Sequence, residues 1–200
     1  MRKLTLFLVA LLPLMLSAQL SIGDEAPDFN LINVDGDSVS LADMPETEGI
    51  ILVFTCNHCP VAKLYEQRII ELDAAYADEG YPVVAINPNS PRKKPLDNYP
   101  NMQKRAEEKG YTFPYLADPT GETAKAYGAT RTPEIYLLER DDEGKLFLAY
   151  TGAIDNNSAS AEDADAHYVA EAIANLKKGK AADPNFTKAI GCTIKWASTK

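Results

Sequence analysis

Two cysteines separated by two residues are the part of this sequence with the clearest chemistry. Cys56 and Cys59 enclose Asn57 and His58 in a C-x-x-C pattern. At this spacing two thiols can approach closely enough to close a small disulfide ring. The reactive form of such a thiol is the thiolate, so its surroundings control its reactivity through its pKa. The pattern therefore predicts a redox pair that forms and breaks a disulfide.

The cysteines lie between an apolar run and a segment with helical periodicity. Residues 50–55 read Ile-Ile-Leu-Val-Phe-Thr, and the apolar residues of 61–76 recur mostly at three- and four-residue spacing. We therefore predict a buried strand over 50–55 and a helix over about 59–78. A helix N-terminus carries unpaired amides and the positive end of the helix dipole. We expect this end to favour the thiolate of Cys56, with Cys59 one turn further on.

The order of reaction follows from this placement. Cys56, as the more exposed thiol, is expected to attack a substrate disulfide, and Cys59 then resolves the mixed disulfide. A partly protonated His58 would stabilise the Cys56 thiolate and hence the reduced form, which raises the reduction potential. The alternative for His58 is a solvated side chain with little effect.

The rest of the chain alternates strands with helices. A second apolar strand over 82–87 completes a strand–helix–strand unit, which favours a parallel pair. We further predict a hairpin around Asp35-Gly36, helices at about 98–109, 120–127 and 162–178, and strands at 113–116, 134–138 and 145–150. This order indicates the α/β class, with a central mixed sheet flanked by helices.

The N-terminus has the pattern of an export signal. Residues 1–3 are basic, residues 4–16 are apolar but too few to span a bilayer comfortably, and small residues follow. We predict a signal peptide over 1–18, a domain over 19–178 and a tail over 179–200. The mature protein is expected to be periplasmic or secreted, with no stable membrane insertion; the alternative is an uncleaved anchor. Disulfides persist in such compartments.

Charge and cysteine content narrow the function classes. The formal net charge of −9 argues against nucleic acid, whose phosphates need a basic surface. Three cysteines are too few for a disulfide scaffold and odd in number. We predict no cofactor and no resident metal. A copper-handling protein, binding Cu(I) through Cys56, Cys59 and His58, is the alternative from another class.

Several motifs together resemble a known family. They are Gly23-x-x-Ala26-Pro27-Asp28-Phe29, Cys56-Asn57-His58-Cys59, Ala126-Tyr127-Gly128 and Thr132-Pro133. Over residues 22–178 the chain resembles the thioredoxin-fold redoxins related to alkyl hydroperoxide reductase and thiol-specific antioxidant proteins, in a peroxiredoxin-like subgroup with C-x-x-C. The resemblance implies a thioredoxin-like fold with an N-terminal β extension and a C-terminal tail.

The resemblance also implies a substrate-binding element. Thr132-Pro133 would be a cis peptide facing the cysteines, with the Thr132 backbone free to pair with a substrate segment by strand addition. The chain departs from true peroxiredoxins, which carry Pro-x-x-x-Thr/Ser-x-x-Cys. Counting back from Cys56 gives Val53 and Gly49 instead.

Three further residues have two interpretations each. Cys192 is either a third thiol that exchanges with the pair or a small buried apolar residue. Arg131 either polarises a peroxide or holds the Cys56 thiolate, or else it is an exposed structural residue. Glu134 is either a proton acceptor near the site or a solvent-facing strand residue.

These observations predict an exported thiol–disulfide oxidoreductase. Its substrates would be disulfides of exported proteins or small oxidants, and an upstream dithiol donor would supply electrons. A thiol-dependent peroxidase is the alternative within enzymes.

Overall fold

The computed structural model of the protein describes residues 20–198. The predicted signal peptide, residues 1–18, lies outside this range. Across residues 20–198, no helix has the length and apolar character needed to cross a membrane.

Strands and helices alternate along the described chain. The strands are β1 (Leu31–Asn33), β2 (Ser38–Val39), β3 (Gly49–Phe54), β4 (Val83–Asn87), β5 (Tyr115–Ala117), β6 (Arg131–Thr132), β7 (Glu134–Arg140), β8 (Leu146–Gly152) and β9 (Cys192–Thr193). The helices are α1 (Pro60–Tyr76), α2 (Tyr99–Lys109), α3 (Glu122–Tyr127) and α4 (Tyr168–Leu176).

Seven strands form one mixed sheet. Their order is β2-β1-β5-β4-β3-β7-β8. The three central strands β5, β4 and β3 run parallel, and the outer strands pair antiparallel. The predicted parallel strand–helix–strand unit is confirmed as β3–α1–β4. Strands β6 and β9 pair separately, antiparallel to each other.

The sheet is covered on both faces, which explains the continuous apolar run of β3. Ile51 and Val53 pack into a cluster with residues of α1, α2 and α4. Leu52 and Phe54, on the other face, pack into a cluster with residues of α3. Every residue of β3 is buried, as expected for a parallel strand between two helical layers. This packing fixes the point where β3 ends, and the cysteine pair follows directly.

Helix α4 starts later than the sequence predicts. The prediction placed its start near 162, whereas the helix begins at Tyr168. The side chain of Asn156 accepts hydrogen bonds from the backbone amides of Asp165 (3.1 Å) and Ala166 (3.3 Å). Side-chain bonds of this kind offer the backbone an alternative to helical bonding, so the segment before α4 stays a loop.

Candidate active site

The cysteine pair occupies the connection between β3 and α1. Cys59 is the N-cap of α1, with an extended backbone, and Pro60 takes the first helical position, where its missing amide is no loss. Cys56 precedes this cap by three residues. The positive end of the helix dipole therefore acts most directly on Cys59. The sequence analysis placed Cys56 at the start of the helix. This expectation is wrong, because Cys56 lies three residues before the N-cap.

Both sulfurs converge on Thr132. The Sγ of Cys56 lies 3.1 Å from the Thr132 hydroxyl oxygen, and the thiol of Cys59 donates to the Thr132 carbonyl at 3.3 Å. The peptide bond between Thr132 and Pro133 is cis, the isomer that the resemblance implies. Cys56 is 2% exposed and Cys59 is 0% exposed. The structure thus brings four of the predicted site residues together in one enclosed site: Cys56, Cys59, Thr132 and Pro133.

His58 is held by a buried carboxylate that the sequence analysis missed. Its Nδ1 lies 2.6 Å from Asp97 Oδ2 and 3.5 Å from Cys56 Sγ. Asp97 Oδ1 accepts hydrogen bonds from the backbone amides of Asn57 (2.8 Å) and His58 (3.1 Å). Its Oδ2 also accepts a hydrogen bond from the side-chain amide of Asn89 at 3.0 Å. Asp97 therefore fixes both the backbone between the cysteines and the imidazole. The alternative of a freely solvated His58 is wrong, since its side chain is 11% exposed.

Buried polar groups also hydrogen-bond to Asn57, which lies between the two cysteines. The Tyr115 hydroxyl donates to Asn57 Oδ1 at 2.9 Å and accepts from Asn87 at 3.2 Å. Asn57 in turn donates to the Leu96 carbonyl at 3.0 Å. Burial raises the pKa of Tyr115 well above its ordinary value, so the phenol keeps its proton and remains a donor. The backbone between the cysteines is thus held in one conformation.

The two thiols share one proton. Hydrogen bonding with Cys59 raises the pKa of Cys56, and burial and the negative charge of Asp97 raise it further. Hydrogen bonding with Cys56 lowers the pKa of Cys59 to about 4. The first proton of such a pair leaves easily and the second is retained. The pKa is thus lowered at Cys59 and raised at Cys56, the reverse of the expectation, because the two thiols are hydrogen-bonded to each other and the negative charge of Asp97 acts on Cys56.

The C-terminal tail occupies the edge beside the cis peptide. Strand β9 pairs antiparallel with β6, and Cys192 is the register partner of Thr132. The expectation that the Thr132 backbone is free for a substrate is therefore wrong, because this chain's own tail pairs with it. Cys192 packs against Cys56 and Cys59. It is half-buried.

Arg131 and Glu134 both bind backbone in this region. The Arg131 guanidinium donates to the Gly191 carbonyl of the tail at 2.9 Å. The Glu134 carboxylate accepts the backbone amides of Thr130 (2.8 Å) and Arg131 (2.9 Å). These contacts direct both charged groups to the backbone around β6.

One group of three side chains has metal-ligand geometry within residues 20–198. The ligand atoms of Cys56, His58 and Asp97 all lie within 4.8 Å of one another. The set differs from the copper ligands named from the sequence, since Asp97 stands where Cys59 was expected. Both Asp97 oxygens already accept hydrogen bonds, and Cu(I) prefers sulfur to carboxylate. The hydrogen bonds alone account for this closeness.

Comparisons with known proteins relate the site to two kinds of thiol chemistry. The thiol-disulfide oxidoreductase ResA of Geobacillus thermodenitrificans is 28% identical over 131 residues, which cover 66% of this chain and 71% of that protein. A protein named "Putative peroxiredoxin" from Mycobacterium tuberculosis is 29% identical over 143 residues, which cover 66% of this chain and 86% of that protein.

A solved structure extends the similarity over most of the chain. An uncharacterized conserved protein from Geobacillus kaustophilus superposes with a TM-score of 0.83 at 36% identity, covering 91% of this chain and 95% of that chain. The model of the AhpC/TSA family matches residues 22–149, more than half of the 200 residues. The thioredoxin-like fold predicted from the sequence is confirmed, and the chain belongs to the AhpC/TSA family.

Proposed function

We propose that this protein is an exported thiol–disulfide oxidoreductase that exchanges disulfides through Cys56 and Cys59. One observation carries the proposal: both sulfurs of the C-x-x-C pair converge on Thr132, within 3.1 Å and 3.3 Å of its oxygens. Two thiols held side by side on one residue are placed for exchange with each other and with a third sulfur. The oxidoreductase relative has the matching activity in its name.

The reaction proceeds in two exchanges. Proton transfer from Cys56 to the Cys59 thiolate gives a Cys56 thiolate, which attacks one sulfur of the substrate disulfide and releases the other as a thiolate. Cys59 passes its proton to the released thiolate and attacks Cys56 Sγ, so that the mixed disulfide breaks, the second substrate sulfur leaves as a thiolate, and the Cys56–Cys59 disulfide forms. The substrate gains two electrons and the pair loses two. An upstream dithiol donor restores the reduced pair by the reverse steps.

The hydroxyl of Thr132 and the ring of His58 have separate parts in this scheme. The Thr132 hydroxyl, 3.1 Å from Cys56, stabilises the developing thiolate and lowers the pKa of Cys56 against the other influences. His58, bound to Asp97 at 2.6 Å, is a positioning residue that presents its imidazole at 3.5 Å from the sulfur. No bound cofactor takes part in these steps.

Export rests on the sequence of the first 18 residues. Basic residues followed by a short apolar run support a signal peptide over 1–18, a mature domain over 19–178 and a tail over 179–200. The substrates would then be disulfides of exported proteins or small oxidants. The net charge of −9 supports a protein without nucleic-acid partners.

A thiol-dependent peroxidase is the second candidate. The relative from Mycobacterium tuberculosis favours it by its name, as does the enclosed sulfur of Cys56, 2% exposed. The missing Pro-x-x-x-Thr/Ser-x-x-Cys motif and the contact of Arg131 with the Gly191 carbonyl (2.9 Å) both count against it.

Rates of oxidation separate the two candidates. The reduced protein is mixed with a small model disulfide or with hydrogen peroxide, and the loss of thiols is followed over time. Fast disulfide exchange with peroxide reaction near that of a free thiol is the expected result. The Cys56→Ser variant is the control and should lose the fast phase. Peroxide reaction many orders of magnitude faster than for a free thiol would replace the proposal with a peroxidase.

A further inference from the structure

The third cysteine of the chain lies inside the redox site. Cys192 packs against the Cys56–Cys59 cluster, and its thiol interacts directly with that of Cys59. Cys59 also donates to the carbonyl of Thr132, the register partner of Cys192 across β6 and β9. Cys59 is therefore next to both Cys56 and Cys192.

The tail after Cys192 is fixed by hydrogen bonds to the body of the domain. The backbone amide of Ile194 donates to the Thr130 carbonyl at 3.0 Å, and Ile194 is 4% exposed in the core. The amide of Lys195 donates to Asn89 Oδ1 at 2.7 Å. Asn89 also donates to Asp97, so the tail is connected to the network that holds His58.

The tail before Cys192 approaches the cis peptide so closely that only glycine fits. A Cβ added to Gly191 would lie 2.2 Å from the Thr132 carbonyl oxygen, far inside contact distance. The carbonyl of Gly191 accepts from the Arg131 guanidinium at 2.9 Å. Contacts on both sides of Cys192 therefore hold its thiol at the site. A side chain that only fills space would not need to be fixed in this way.

We propose that Cys192 is a third redox-active cysteine, which exchanges with the Cys56–Cys59 disulfide by attacking Cys59 Sγ. The proposal rests on the proposed function, since it needs that disulfide to form. The Cys59–Cys192 bond forms as the Cys56–Cys59 bond breaks, and Cys56 leaves as a thiolate. The proton of Cys192 passes to Cys56. One disulfide replaces another, so no external oxidant or reductant is consumed.

The exchange gives the oxidised protein a second form. In it, Cys56 is a free thiol beside the Thr132 hydroxyl and the His58 ring, while the two oxidising equivalents reside in the Cys59–Cys192 bond. Burial raises the pKa of the Cys192 thiol. The attacking thiolate is therefore scarce at neutral pH, and exchange accelerates as pH rises.

A variant without Cys56 tests the bond directly. Reduced Cys56→Ser protein is oxidised with diamide, its remaining thiols are alkylated, and its peptides are mapped by mass spectrometry without reduction. An intramolecular Cys59–Cys192 disulfide, with the thiol count falling from two to zero, is the expected result. The matched control Cys56→Ser/Cys192→Ser should keep one alkylatable thiol per chain. Recovery of Cys59 and Cys192 as alkylated thiols or as intermolecular dimers would overturn the proposal.

Wild-type protein provides a second measurement that does not depend on the folding of a variant. Oxidised wild type is equilibrated at pH 8 in a sealed, reductant-free buffer, quenched with acid and alkylated. The label should appear on Cys56 in a measurable fraction of molecules and on Cys192 in the rest; label on Cys192 alone would count against the exchange.

The two proposals fail in different ways. If wild-type protein reduces a model disulfide but no Cys59–Cys192 bond forms in either measurement, the exchange is excluded and the oxidoreductase function remains. If wild-type protein shows no exchange with disulfides at all, the proposed function itself is excluded.

Discussion

Removing the charge of Asp97 should make Cys56 more acidic. Asp97 is buried, and its oxygen lies within 4.8 Å of Cys56 Sγ. Its negative charge is one of the causes that raise the pKa of Cys56, after hydrogen bonding with Cys59 and burial. In Asp97→Asn the side chain keeps its shape and a carbonyl oxygen for the backbone amides of Asn57 and His58, while the charge is lost.

The size of the effect follows from the distance. Two unit charges about 4.8 Å apart interact by about 3.5 kcal/mol at an effective dielectric constant of about 20, which corresponds to about 2.5 pKa units. Loss of the carboxylate also loosens His58, whose ring lies 3.5 Å from Cys56 Sγ, and the loss of this contact works in the opposite direction. We therefore expect the pKa of Cys56 to fall by about 1–2 units, a net value below the Coulomb limit.

A single-cysteine background isolates this change. In Cys59→Ser/Cys192→Ser protein Cys56 is the sole thiol, so the pH dependence of its alkylation by iodoacetamide reports one group. Asp73→Asn is the matched control, because Asp73 is also buried but accepts from the Val83 amide at 3.0 Å, away from the cysteines. An unchanged or raised pKa in Asp97→Asn would refute the reasoning. It would mean that Asp97 acts on Cys56 chiefly by positioning the ring of His58.

Three further substitutions have defined outcomes. Thr132→Val removes the hydroxyl 3.1 Å from Cys56 Sγ, so Cys56 alkylation should slow at pH 8, and the loss of a buried hydrogen bond should cost about 1 kcal/mol in urea unfolding. Asp155→Ala removes the carboxylate that pairs with the buried Arg68 at 2.6 Å. The unpaired charge should lower the free energy of unfolding by about 3–5 kcal/mol. A shift of the urea midpoint no larger than that of a surface variant would contradict this. Gly191→Ala should displace β9, because an added Cβ would lie 2.2 Å from the Thr132 carbonyl oxygen. The displacement should change the fluorescence of Trp196, the single tryptophan of the chain. An unaltered spectrum would argue against close packing of Gly191 on Thr132.

The central part of the fold could be predicted because it depends on local patterns. A strand buried on both faces shows as a continuous apolar run, and the α1 segment shows helical spacing, so the position of Cys59 at a strand–helix junction follows from neighbouring residues. The start of α4 could not be placed in this way. Residues 162–167 are compatible with a helix, and the loop depends on hydrogen bonds that the Asn156 side chain accepts from the backbone amides of Asp165 and Ala166.

The parts of the site that the sequence did not predict come from distant segments. Asp97 lies in a proline-rich segment without periodicity, 39 residues from His58. Nothing in the local sequence indicates that an aspartate in such a segment will bind the backbone between the cysteines. Strand β9 has two residues, too few for any period, and its pairing with β6 closes a loop of about 60 residues. Asp97 raises the pKa of Cys56 and Cys192 of β9 lowers that of Cys59, so reasoning from the local sequence assigned the low pKa to Cys56.

The occupied edge at Thr132 bears on which substrates the protein can accept. A peptide that binds by strand addition needs the edge that β9 covers, so its apparent affinity falls in proportion to the fraction of molecules with β9 released. If β9 is released in about one molecule in a hundred, the apparent dissociation constant rises about a hundredfold. A small disulfide that needs no backbone pairing bears no such penalty. Under the proposed function, the pairing of β9 with β6 would therefore disfavour substrates that bind as extended strands, relative to small disulfides.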